Sequence, residues 1–469
     1  MLPIASSSSL AEPVVCDYYR CPFDLASIDT QSDLSGHSGY FRFGDAVGFG
    51  RVAGGRTAHH AADDLVDVAD AVTTVNGRPC LPFSLSEVTT NLRRERYRQR
   101  DKTFTQKATT FDAVHRLYYL ARPLLPIGVR KHLQRVRLHG WDKIAFPRWP
   151  VDWSVDTLIE SAMTLLLKAG REPRIPFIWF WPEGASSCAM MTHDVEGPSG
   201  LAFCDELMDI DDSFAVKSAF QLIPEGREES WRRTARRLRA RGFEVNLHDL
   251  NHDGRLFANK REFLERAKRI NAFAKEFDCD GFRSAIMYRE QDWFGAFGFA
   301  YDMSVPNAAH LEPQRGGCCT VMPYFVDDIL ELPLTAVQDY SLFYILNDYS
   351  TAIWRRQIQL IAERHGLVSV ITHPDYLVGK RERRVYADLL QHLVELRARN
   401  QMWVALPGEI NRWWRNRQQM RLVRDGADGW RIEGPDSQRA RIAWASLEGD
   451  VLVYRLGASR PRTKLAAIT

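Results

Sequence analysis

Between about residue 175 and residue 415, short apolar runs alternate with longer amphipathic stretches, and this alternation limits the possible folds more than any other feature of the sequence. Runs at 188–192, 218–223, 244–247, 329–334, 368–372 and 402–406 have the length and composition of strands covered on both faces. Between them lie helical patterns. Residues 230–241 gather Trp231, Ala235 and Leu238 on one face and stop at Gly242. Residues 260–277 do the same with Phe263, Ala267, Ile270, Ala274 and Phe277, and residues 385–399 with Val385, Leu389, Leu393 and Leu396. Strand and helix in this order make βα units and a parallel sheet, and a barrel of parallel strands accommodates them. Reactive groups of such a barrel belong at the C-terminal ends of its strands.

A chain of 469 residues exceeds one ordinary core. The pattern divides it into an N-terminal α+β extension over 1–150, the (β/α) barrel over 175–415 and a small antiparallel β module over 421–469. Loose alternation with Gly over 39–55 predicts a hairpin, and the lone Gly48-Phe49-Gly50 reads as turn chemistry. The FPRWPVDW segment at 146–153 reads as an extended linker, followed by a helix over 155–169. Residues 111–138 read as two helical pieces split by Pro123 and Pro126. The second carries Arg130, Lys131, His132, Arg135 and Arg137, a basic face that either stays solvated or touches an anionic membrane surface peripherally.

Net charge is +3, so no nucleic-acid partner is expected. Eight scattered cysteines without a CxxC pair exclude a zinc-finger framework and a small disulfide scaffold, leaving reduced thiols as the expectation. The start, MLPIASSSSLAEPVV, lacks the basic and long apolar regions of a secretion signal, and no run of about 18 apolar residues occurs. The expected location is therefore cytoplasmic or membrane-associated. The 13 Trp serve core packing, a sugar-binding surface, or both.

Four segments at expected strand ends carry chemistry. In His248-Asp249-Leu250-Asn251-His252, two imidazoles four positions apart reach one cation if they share a face of a helix or tight turn. In Thr192-His193-Asp194-Val195-Glu196-Gly197, extended backbone points two carboxylates the same way, and a carboxylate beside a bis-His pair completes a site with open positions for water and substrate. His373, before the Pro374 that stops its strand, is placed for acid–base work, and Arg283 is placed to pair with a carboxylate. Each segment alone also suits a solvated loop.

Together and in this order they resemble the polysaccharide deacetylase family, carbohydrate esterase family four with its NodB-homology domain, over roughly residues 175–410. THDVEG resembles the family's TFDDG motif, EVNLHDLNH its two-His motif, FRSAIMY its Arg-containing RxPY loop, YDMS at 301–304 its fourth motif and ITH at 371–373 its fifth. The resemblance implies a distorted (β/α) barrel and hydrolysis of an N-acetyl group on a glycan or glycan precursor, with a divalent metal, by default zinc. It implies Glu196, His248 and His252 as metal ligands and Asp194 as general base, held ionised by Arg283. It further implies His373 as the acid for the departing amine, Asp302 as a residue tuning it, and Tyr288 or a nearby backbone N–H as an aid to the oxyanion. Val195 stands where the family's second Asp is usual, Asp249 where a hydroxyl is usual, and the third motif's Pro and the fourth's Trp are absent. These departures bear on the sugar groove more than on the metal site. The missing Pro and Trp keep open a related metal-dependent amidohydrolase on a non-sugar amide, and the large N-terminal region with the appended β module keeps open a non-catalytic glycan-binding protein.

Overall fold

The computed structural model describes residues 12–98, 138–170, 172–426 and 429–457. The paired helical pieces expected from 111 onward, with the basic face considered for membrane contact, lie outside the described residues. No helix among the described residues is long and apolar enough to cross a membrane.

The alternating region forms a distorted barrel. Its elements in chain order are β1 (Ser187–Val195), α1 (Pro198–Ser213), β2 (Ala219–Leu222), α2 (Glu228–Ala240), β3 (Glu244–His248), α3 (Lys260–Phe277), β4 (Gly281–Arg283), β5 (Tyr301–Asp302), β6 (Ile329–Glu331), α4 (Ala352–Ala362), β7 (Leu367–Thr372) and α5 (Lys380–Ala398). The strands run parallel in the order β6-β5-β4-β3-β2-β1-β7. Beyond β6 the chain continues past Pro306, and Ala336 N donates to Ser369 O of β7 at 3.1 Å, which closes the ring. Tyr324–Val326 adds an antiparallel edge on β6, and Met402–Val404 pairs with the first residues of β1.

All nine residues of β1 are buried, because the barrel interior lies on one side and the helices on the other. Ala189, Met191 and Val195 pack into the helical shell with Phe203, Leu238 and Leu389. Cys188 and Met190 join a second core that runs from the barrel floor into the rest of the chain, with Tyr19, Phe41, Phe177 and Trp413. The hairpin expected over 39–55 pairs Gly39–Phe43 with Ala46–Gly50. Ile442–Glu448 pairs with both Val451–Leu456 and Arg174–Ile178. Arg417, fully buried, donates to Tyr18 O, Tyr19 O, Ile178 O and Trp179 O, tying early, middle and late segments to this core. All eight cysteines are free and buried.

β4 and β5 have three and two residues, too few for any periodicity to register in sequence. The helix α1 fills the gap between the runs at 188–192 and 218–223, although it opens on Pro-Ser-Gly and is rich in acids. Its spaced Phe203, Cys204, Leu207 and Met208 nevertheless reach the core.

Candidate functional site

The strand ends of β1, β3, β4 and β7 converge on one mouth of the barrel. On β1 the side chains of Thr192 and Asp194 share a face by the two-residue period. Arg283, last residue of β4, meets them there. Its Nη1 donates to Asp194 Oδ1 at 2.7 Å and to Thr192 Oγ1 at 2.9 Å, and its Nε to Met303 O at 3.1 Å. The Arg283 side chain is 0% exposed and that of Asp194 3%. Burial alone raises the Asp194 carboxyl, but the Arg283 guanidinium, with His248 and His373 nearby, holds it below its ordinary value. Asp194 is therefore ionised at neutral pH.

Glu196, His248 and His252 offer one ligand atom each, all within 4.8 Å of one another. Glu196 Oε1 lies 2.8 Å from His252 Nε2 and 4.0 Å from His248 Nε2. Atoms bound tetrahedrally at about 2.0–2.1 Å stand roughly 3.3 Å apart, so small side-chain adjustments bring the three around one ion. His248 Nδ1 faces Arg283 O at 3.2 Å, which favours the tautomer whose Nε2 carries a lone pair. That Nε2 is buried and has no hydrogen-bond partner among the described residues, as a metal ligand requires. The donor set of two imidazoles and a carboxylate fits a divalent cation of the zinc type.

The two histidines do not share a helical face. His248 ends β3, and Asp249 and His252 both adopt left-handed backbone, φ 57° and 61°. Each such non-glycine residue costs about 1–3 kcal/mol and persists where its surroundings enforce it. Here Asp249 N donates to Arg283 O, and the buried Asp249 carboxylate accepts from Leu250 N at 2.6 Å and Ala285 N at 3.2 Å. The departure at Asp249 thus has a structural use: it fastens the ligand loop to the loop after β4.

His373 follows β7. Its backbone N–H donates to Asp339 Oδ2 and its Nδ1 meets Asp339 Oδ1, both at 2.7 Å. Nε2 is left facing the cleft, 3.6 Å from Glu196 Oε1. Burial lowers the imidazole's pKa, but Asp339 first, then Glu196 and Asp194, lift it to about 10. The site thus holds an ionised carboxylate and a protonated imidazole together at neutral pH.

Asp302 does not take the position the family resemblance implied. It accepts from Ser304 N at 2.7 Å and Ser304 Oγ at 2.9 Å, and it stands beside Glu331 in the β5–β6 pairing. Burial raises both carboxyls, and the neighbouring Asp302 charge helps push Glu331 well above the ordinary range. The partner of His373 is Asp339, 34 positions earlier, and no local spacing announces it. Tyr288 sits in the loop after β4 with its backbone N–H already given to Ala285 O. Asp375 was also missed: it accepts from Gly197 N, Ser199 Oγ and Gly200 N, joining the Glu196 loop to the His373 loop. A Cβ on Gly200 would lie 2.1 Å from Asp375 Oδ2, which explains the glycine.

No family model matches the sequence and no curated protein matches it. Among solved structures, the chain is similar to a putative polysaccharide deacetylase from Mycobacterium smegmatis: 19% identity, 51% of this chain and 93% of that one, TM-score 0.41. It is also similar to a probable polysaccharide deacetylase from Pseudomonas aeruginosa PAO1: 12% identity, 50% and 92% covered, TM-score 0.40. A third is the peptidoglycan deacetylase PdaC from Bacillus subtilis: 10% identity, 48% and 90% covered, TM-score 0.32. Likeness this distant does not bear on activity.

Proposed function

We propose that this chain is a divalent-metal-dependent hydrolase that removes an N-acetyl group from an amino sugar of a glycan or glycan precursor. The observation that carries the reading is the meeting, at one barrel mouth, of an Arg-paired carboxylate, a Glu–His–His set and an Asp-paired imidazole. The five segments resembling polysaccharide deacetylase motifs, in the family's order, support the same chemistry. Glu196, His248 and His252 would hold the ion, by default zinc, although cobalt, nickel or iron suit the same donors.

A divalent cation held by these residues would supply Lewis acidity toward the amide carbonyl and would lower the pKa of a water toward neutrality. Asp194, kept ionised by Arg283, accepts that proton as the water attacks the carbonyl carbon. His373 then gives its Nε2 proton to the departing amine, which is too basic to leave as an anion. Asp339 orients the imidazole and stabilises its charge. Acetate and a free amino sugar are the products. The substrate class extends to exopolysaccharide, cell-wall or lipid-linked chains, encountered in the cytoplasm or at a membrane surface.

Purified protein should bind about one metal per chain and release acetate from chito-oligosaccharides. His248→Ala should lose the metal. Asp194→Asn should keep it and lose turnover by roughly 10²–10⁴-fold, because the base is gone and the ligands remain. Protein that holds no stoichiometric metal yet binds glycan would reverse the reading in favour of a non-catalytic binder.

A further inference from the structure

Beside His373 the structure carries an aromatic group that the chemistry above does not use. Tyr376 lies 5.0 Å from the His373 ring, centroid to centroid. Tyr340 and Tyr344 stand 5.4 and 5.2 Å from Tyr376 and 5.5 Å from each other, so the three rings form a compact triangle. All three are partly exposed.

The backbone sorts these rings deliberately by chemistry. Tyr340 directly follows Asp339, the residue that holds His373, and Ser341–Ile345 forms a π-helical turn, a rare form frequent at functional sites. That turn sends Phe343 inward, where it is fully buried beside Trp354, and leaves Tyr340 and Tyr344 at the rim. The buried aromatic cluster around Phe263, Phe294 and Phe297 is made of rings without hydroxyls. Tyr340, Tyr344 and Tyr376 instead carry hydroxyls, so each offers an apolar face and a polar tip at a wet boundary. A pyranose ring has the matching character: C–H groups on its faces and hydroxyls around its edge.

We propose that Tyr340, Tyr344 and Tyr376 form a sugar-binding platform on the leaving-amine side of the reacting amide, receiving the pyranose ring next along the glycan from the one whose amine departs. The side follows from contact with His373, the group that protonates the amine. This platform rests on the proposed glycan deacetylase reading and deepens it, because it makes a glycan of several residues a better substrate than a single acetylated sugar.

The test uses the full chain loaded with metal, with fully N-acetylated chitotetraose and N-acetylglucosamine as probes and acetate release as the assay. Wild type should show the lower KM for chitotetraose. Tyr340→Ala and Tyr344→Ala should each raise that KM about fivefold to tenfold, with metal still bound at one per chain. Tyr344→Trp and Tyr344→Phe keep a ring face and should stay within about twofold of wild type. An unchanged KM for chitotetraose in both alanine variants overturns the platform and leaves the deacetylase reading standing. So does an equal loss in Tyr344→Phe, Tyr344→Trp and Tyr344→Ala, which would indicate a role in folding rather than in stacking. Metal-loaded wild type that releases no acetate from either probe removes the parent reading, and the platform with it.

Discussion

Arg283→Met should destabilise the metal-free protein through Asp194, and the size of the loss should depend on pH. In the wild type the two groups form a fully buried pair at 2.7 Å. Removing one partner of a buried pair costs about 3–5 kcal/mol, because the other charge stays desolvated. The carboxylate can escape part of that cost by taking up a proton. Each unit by which it then titrates above its unfolded value costs about 1.4 kcal/mol at neutral pH. In the wild type the Asp194 pKa is depressed, so its contribution is present above the unfolded value and disappears as pH falls through the folded one. In the variant the pKa is raised, so the penalty grows as pH rises above about 4. The gap between the two proteins should therefore be widest near pH 7 and narrow toward pH 4. For 469 residues at about 2.1 cal/mol/K each, the unfolding entropy is roughly 1 kcal/mol/K, so Tm should fall by about 3–5 °C at pH 7. Adding Asp194→Asn should recover much of the loss, since an amide is far cheaper to bury than an unpaired charge. The assay is calorimetry of the four proteins of the cycle after EDTA treatment. A double variant no more stable than Arg283→Met at pH 7, or a penalty unchanged at pH 4, would falsify the account of Asp194 as a buried ion held by its guanidinium.

Three other perturbations have clear expectations. Asp339→Asn removes the charge that most raises His373, so the alkaline limb of the kcat/KM profile should move to lower pH; an unmoved limb would mean that another group supplies the proton. His193→Phe breaks the Nδ1–Thr372 and Nε2–Asp211 contacts beneath β1 and β7, leaving a buried Asp211 with Tyr386 and Ser218 alone. The expected cost is about 1–3 kcal/mol, read by urea titration, and a neutral result would show that the remaining bonds satisfy Asp211. Gly317→Ala places a Cβ 2.1 Å from Asn307 O at a residue with φ 147°, so it should cost more than the about 1–3 kcal/mol of ordinary overpacking, and an unchanged Tm would contradict that crowding.

The barrel was legible because its long elements repeat. Residues 260–277 place five apolar side chains on one face, and the helix Lys260–Phe277 buries those same five. The runs at 188–192 and 368–372 lie within β1 and β7. The short strands Gly281–Arg283 and Tyr301–Asp302 left no such trace, since their place in the ring comes from their neighbours. At the site, the histidines and carboxylates stood out by type, and each lies at a strand end where a barrel exposes its side chains. The helical face suggested by HxxxH was not what brought His248 and His252 together; a strained loop anchored by Asp249 does so.

Local order in the chain therefore settles which chemical groups exist and roughly which strand end carries each, because periodicity and turn residues act within a few positions. It does not settle their roles. Asp194 meets Arg283 across 89 positions and His373 meets Asp339 across 34. Whether a carboxylate is ionised, shared or protonated depends on distance and desolvation, and only the closed barrel sets those two quantities. For that reason it is Asp339, and not Asp302, that pairs with His373, two acids alike in sequence and unlike in what surrounds them.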